Sequence, residues 1–166
     1  FSNADLSAHL KEICAKENIN ASQDGLELIA EFSEGSVRDS LSLLETASLY
    51  SSEKIVDAAL VTHILGLPNF TQLCSLLETF IEGDALTALN ITNELYNAGV
   101  QPNIILESIL KYSNKVAKII VENNKLSTER PELLSLADKT DISNITTIWK
   151  VASKSLEELK YTGNSI

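Results

Sequence analysis

One stretch of this chain has residue types and spacing suited to holding an anion: Gly35-Ser36-Val37-Arg38-Asp39-Ser40-Leu41-Ser42-Leu43-Leu44-Glu45. Ser36 and Asp39 have the Ser-x-x-Asp spacing of a capping box, which marks a helix start. Arg38 then falls in the first helical turn. Free N–H groups and the helix dipole favour anions there. A guanidinium at that place adds an always-charged fork for a phosphate oxygen. Arg38 is also the only arginine among the first 129 residues. A plainer account exists: Arg38 opposes the dipole, and a local pair with Asp39 would relieve it. Such surface pairs are common and contribute little.

Other chemistry is sparsely represented. The chain has no Gly-x-x-x-x-Gly-Lys-Ser/Thr loop, Gly-x-Gly-x-x-Gly turn, Gly-x-Ser-x-Gly elbow or His-Glu-x-x-His pair. Cys14 and Cys74 sit among apolar residues at helical spacing, as small core side chains of a reducing compartment would. His9 and His63 lack a Cys or His neighbour at ligand spacing, so no metal site is expected. Lys111, Lys115 and Lys118 share a helix face and could form a local basic patch; an ordinary solvated face is the simpler expectation. Lys and Arg number 13 against 23 Asp and Glu, a net charge of -10 that argues against a free-standing nucleic-acid binder. Residues 1–83 carry 13 acids and 4 bases, whereas 84–166 carry 10 and 9, which suggests two parts in different surroundings.

The elements that position these residues read as helices almost throughout. Apolar residues make up 44% of the chain, enough for a core, and no run is long enough to span a membrane. Leu6, Leu10, Ile13 and Cys14 give a first stripe that ends near Asn18. A second helix is expected from Ser22 to Ser33, stopped by Gly35, and a third from Ser36. Ser51-Ser52-Glu53 is expected to open the next. Gly66-Leu67-Pro68 is the best domain boundary. Beyond it, Phe70, Leu73, Leu77 and Phe80 are expected to face inward, as are Ala85, Ala88, Leu89, Thr92 and Leu95. Pro102 precedes the longest stripe, Leu106 to Ile120, followed by a polar loop over residues 123–128. Pro131 suits the first turn of a short helix through Leu134. The last helix carries Ile142, Ile145, Trp149, Ala152, Leu156 and Leu159 and ends at Gly163. The fold class is all-α, with a small bundle at 1–66 and a larger one at 67–166.

The segment Gly35 to Glu45 resembles the Gly-Ser-x-Arg-Asp-x-Leu-Ser-Leu-Leu-Asp stretch of the gamma/tau family of bacterial DNA polymerase III, with Glu45 in place of the usual Asp. Leu10-Lys11-Glu12-Ile13-Cys14-Ala15-Lys16-Glu17-Asn18-Ile19, Leu28-Ile29-Ala30, Ile64-Leu65-Gly66, Gly83-Asp84, Ala88-Leu89 and Gly99 also fall at family-like places. The resemblance implies the small helical lid of an AAA+ ATPase over 1–66 and a helical collar over 67–166 that lacks its last helix. It implies a fragment that is not itself catalytic, from a clamp-loader subunit of the DNA-directed DNA polymerase holoenzyme. ATP and Mg would belong to the intact subunit. Arg38 would be the sensor-2 residue that reaches the nucleotide's terminal phosphates, and Val37 would pack near the nucleotide. Partners would be other gamma/tau subunits, delta and delta-prime, with the sliding clamp and primed DNA met through the whole complex, in the cytoplasm and away from membranes. A reading of another class is a helical scaffold that binds a partner helix, with Trp149 and the 142–159 stripe as its main features.

Overall fold

A computed structural model of the chain describes residues 2–51, 55–122 and 130–162. The described residues are helical nearly throughout and divide into two compact units, Phe1–Leu65 and Gly66–Ile166.

The first unit contains α1 (Asn3–Glu17), α2 (Gln23–Phe32), α3 (Val37–Ser51) and α4 (Ala58–Ile64). Each start has a side chain that accepts from an otherwise unpaired N–H. Ser2 and Asp5 make a reciprocal box at α1. The Ser22 hydroxyl accepts from Gly25 N–H at 3.3 Å at α2. Asp57 accepts from Leu60 N–H at 2.8 Å at α4. Helix α2 stops where Glu34 and Gly35 take positive φ of 47° and 83°, a reversal that a glycine makes without strain. The core is formed by Leu10, Leu26, Ile29, Leu44, Val56 and Val61, with Cys14 beside them. Ser51 closes α3 rather than opening the next helix, and residues 52 and 53 lie outside the described residues. The start signal for α4 is Asp57.

Two connectors of this unit are joined by main-chain bonds. Val56 N–H donates to Asn20 O at 2.9 Å, and Ser22 N–H donates to Val56 O at 3.0 Å. The pairing is an isolated parallel bridge between Ala21 and Val56.

The second unit contains α5 (Phe70–Glu82), α6 (Ala85–Asn97), α7 (Pro102–Glu122), α8 (Pro131–Lys139) and α9 (Ile142–Thr162). The long helices α7 and α9 pack along one another; α8 packs on α7 and α5, and α6 packs on α5. Leu73, Leu77, Leu95, Ile109, Val116, Leu133 and Ile145 are core residues. Asn69 and Asp84 cap α5 and α6, and Gly83 between them takes a left-handed conformation. The inward faces are narrower than the apolar pattern suggested. Leu89 is 62% exposed, Trp149 44% and Phe80 36%. Helix α6 rests on its neighbour through Ala88 and Leu95, seven residues apart, so Leu89 falls on the flank of that stripe. On α7 Ile109, Ser113 and Val116 of the expected stripe are buried, together with Ile105, Ser108 and Ile119, while Leu106, Leu110, Ala117 and Ile120 are half-buried, so the buried face is turned toward Ile105 and Ile119. Helix α8 runs on to Lys139, whose ammonium pairs with Glu78 of α5. The expected polar loop at 123–128 and the end at Gly163 lie outside the described residues.

Candidate functional site

Arg38 stands on the first turn of α3 and is exposed. Below it, the Ser36 hydroxyl accepts from Asp39 N–H at 3.3 Å, and Ser40 N–H bonds Ser36 O at 3.1 Å. The turn is thus fixed by its own cap. Ser40 is fully buried and donates its hydroxyl to Val37 O at 2.8 Å, which ties the same turn to the interior. Val37 is half-buried beside the arginine. Among the described residues, Arg38 makes no ion pair, and Asp39 does not pair with it. The guanidinium is therefore presented to solvent from a rigid base, at the helix end whose dipole carries partial positive charge. That arrangement suits an anion supplied from outside this unit.

The other cations are differently placed. Arg130 lies 4.3 Å from the centre of the Phe70 ring, and Phe70 in turn meets Tyr112 at 5.3 Å. Lys115 lies over Tyr112 at 5.5 Å. Lys118 is within 3.8 Å of Glu122 one turn on. Lys115 and Lys118, two of the three lysines of the suspected patch, have local intra-unit neighbours.

Both cysteines are buried. Burial raises the Cys14 thiol above its ordinary value. Burial also pushes the Cys74 thiol up to about 11, helped by the carboxylates of Glu132 and Glu78 and opposed by Arg130. Neither thiol has the depressed pKa of a nucleophile or redox centre. Among the described residues no three His, Cys, Asp or Glu side chains stand together as a metal cage, and no helix is long and apolar enough to cross a membrane.

A shallow apolar cleft of about 450 Å³ lies between α5 and α6, lined by Phe80, Ala85, Ala88, Leu89 and Thr92 among others. The 142–159 stripe is divided: Ile142, Trp149 and Leu159 are exposed. Its Ile145 and Ala152 are buried in the unit's own core.

Sequence reasoning missed the joint between Asn20–Ser22 and Val56. One signal was present: Gly25 inside the first turn of an otherwise regular helix, where a glycine costs about 1 kcal/mol against alanine unless another backbone comes close.

Two family models match the chain. Residues 5–53 match the lid domain of the ATPase in the DNA polymerase III clamp loader subunit, and residues 56–165 match domain III of the DNA polymerase III subunits gamma and tau. Among curated proteins, the chain is 25% identical to DNA polymerase III subunit gamma of Buchnera aphidicola over 174 residues, which covers 99% of this chain and 46% of that protein. It is 28% identical over 127 residues to protein STICHEL of Arabidopsis thaliana, covering 76% of this chain and 10% of that one. It is 28% identical over 134 residues to the replication factor C small subunit of Methanocaldococcus jannaschii, covering 81% and 7% respectively. The chain thus spans less than half the length of these relatives. With most of its length matched by domain III and most of the remainder by the lid, this chain belongs to the gamma/tau family of DNA polymerase III clamp-loader subunits.

Proposed function

We propose that this chain is the lid and collar region of a clamp-loader subunit in DNA replication, with the lid over 1–66 and the collar over 67–166. The observation that carries the reading is Arg38, exposed and without an ion pair among the described residues on the capped first turn of α3 within the lid match. In this reading Arg38 contacts the terminal phosphates of ATP held by the subunit's nucleotide-binding domain, and Val37 packs near the nucleotide. A solvent-facing guanidinium at a helix N-terminus fits an anionic phosphate. Mg would accompany the ATP and be held by residues outside this region. ATP supplies the free energy that opens and closes the sliding clamp around primed DNA. This region's part is to register the phosphate and to tilt the lid. The collar joins other gamma/tau subunits, delta and delta-prime into the loader ring, in the cytoplasm. The scaffold alternative has one favouring observation, the apolar cleft between α5 and α6, which a partner's helix could also use.

Arg38→Ala tests the reading. The residue is exposed, so the melting temperature of the chain should hardly change. A charge-assisted hydrogen bond contributes about 1.5–3 kcal/mol. Its loss in the full-length subunit should reduce ATP-driven clamp loading by roughly ten- to a hundredfold, at 1.4 kcal/mol per tenfold. Unchanged loading by the variant would remove the phosphate role.

A further inference from the structure

The joint at Val56 is tighter than a chance contact. Val56 is fully buried and exchanges two main-chain bonds with Asn20 and Ser22, at 2.9 and 3.0 Å. The Ser22 hydroxyl, which caps α2, also lies 3.3 Å from Val56 O. Gly25 closes the approach. A Cβ at that position would stand 2.5 Å from Val56 O, 3.0 Å from Asp57 C and 3.1 Å from Asp57 Cα. All three are backbone atoms, so no rotamer change relieves the clash. The N-terminal turn of α2 therefore meets the 56–57 backbone at a distance that only glycine allows.

What this joint holds is α4. Asp57, next to Val56, caps that helix, and α4 has seven residues. A helix so short has little stability of its own and takes its direction from what it is tied to. Helix α4 packs on α2 and α3, inside the first unit, and ends one residue before that unit's last residue, Leu65. Yet the lid match stops at residue 53 and the domain III match starts at residue 56, so α4 falls within the domain III match. One helix is thus packed with the lid's helices and aligned with the next domain.

We infer that Gly25 and the Asn20–Ser22/Val56 clasp are a positioning device that locks α4 to α2, so that a reorientation imposed on the lid at Arg38 is carried to the chain leaving at Leu65 instead of being absorbed at residues 56–57. The transmission part rests on the clamp-loader reading; the locking part does not. A connector between one helix and a short next one is where a hinge would form, and residues 56–57 lead directly into α4. Two main-chain bonds, a capping hydroxyl and a side-chain-free contact remove that freedom. Gly25 acts through α4, its contact being with the backbone of Val56 and Asp57.

Paired spin labels at Glu27→Cys and His63→Cys, both exposed positions, read the α2–α4 geometry, and the natural Cys14 and Cys74 are buried away from the label. The unaltered background should give one narrow distance. Gly25→Ala should broaden or split it, and should speed amide exchange at Val56 about tenfold or more while the rest of the unit stays protected. In the full-length subunit the same substitution should lower clamp loading about tenfold with ATP affinity kept within about twofold, whereas a general loss of structure would lower both together. Should Gly25→Ala fail to fold, Ser22→Ala, which removes only the hydroxyl, should show the same pattern at smaller amplitude. A narrow distance with Val56 still protected in the variant overturns the lock. A broadened distance with normal loading overturns the transmission. Arg38→Ala in the same loading assay separates the two ideas: if it loads normally, the phosphate reading fails, and the distance and exchange data still decide the clasp.

Discussion

Val56 in the first unit and Ile145 in the second are both out of contact with water, but by different means. Ile145 is covered because two helices of 21 residues, α7 and α9, lie along each other. Val56 lies in a connector whose backbone bonds to another connector, and its side chain joins the apolar cluster of Leu26, Ile29 and Leu44. In the first unit, polar groups close the structure: capping hydroxyls and carboxylates, and buried serines such as Ser33 and Ser40 that donate to the carbonyls of Ile29 and Val37. The second unit has the same devices, with Asn69 and Asp84 as caps and the buried Thr79 hydroxyl donating to Leu76 O, and adds the long packing of α7 on α9. Both units keep large apolar side chains outside, Leu49 and Tyr50 in the first and Leu86, Leu89, Tyr96 and Val151 in the second. The lesson is that two bundles of one secondary-structure class can differ in their connectors: the first unit pairs two of its connectors through main-chain bonds. Directional bonds fix one helix end in place.

Core truncation probes that contrast most strongly. Leu77→Ala in the second unit and Leu44→Ala in the first each remove a side chain at most 1% exposed. Each should cost about 2–5 kcal/mol. Hydrogen exchange should show each loss of protection confined to the unit that carries the substitution. Spreading of the Leu77→Ala effect to the amides of α1 and α2 would mean that the two units do not fold separately.

An intermediate effect should appear in alkali. The Cys74 thiol is raised from 9.0 to about 11 by burial, so the folded state holds the proton that the unfolded state gives up. Its contribution is intact below pH 9 and is lost as pH climbs toward 11. Stability should fall there by up to about 1.4 kcal/mol per pH unit. Denaturant melts between pH 8 and 11 should show a shallower decline for Cys74→Ala, and a parallel decline would mean the thiol is not the titrating group.

Smallest of the three is the comparison of caps. Asp57→Ala and Asn69→Ala each delete the acceptor at a helix start. Each should cost about 1 kcal/mol. Asp57→Ala should cost more, because α4 has seven residues and α5 has thirteen with which to absorb the loss. Equal costs in urea melts would show that packing on α2, rather than the cap, holds α4.

Periodicity and punctuation in the amino-acid sequence carried the helices a long way. Ser22, Ser36, Asn69, Asp84 and Pro131 each stand at or beside a helix start, and Asn18 and Gly83 at helix ends. Those signals are local, and local chemistry decides them. The faces were less legible. Leu89 and Trp149 match a helical repeat, but whether a flank residue is covered depends on how many neighbours the helix has, which no repeat encodes. Asp57 was passed over because the serines just before it gave a stronger apparent start. Arg38 was visible for its rarity and its place after a cap, whereas the Asn20–Val56 pairing joins residues 36 apart and left only Gly25 as a trace.

The double membership of α4 bears on where this chain can be divided. A cut at residue 54, where the two family matches separate, would strip the first bundle of Val56 and Val61, two of its fully buried side chains. It would leave Asn20 O and Ser22 N–H without partners and open space beneath Leu26 and Ile29. A cut between Leu65 and Gly66 severs the chain where the packing itself divides. Homology and cohesion thus draw their borders about a dozen residues apart, and anyone who wants either half alone should follow cohesion.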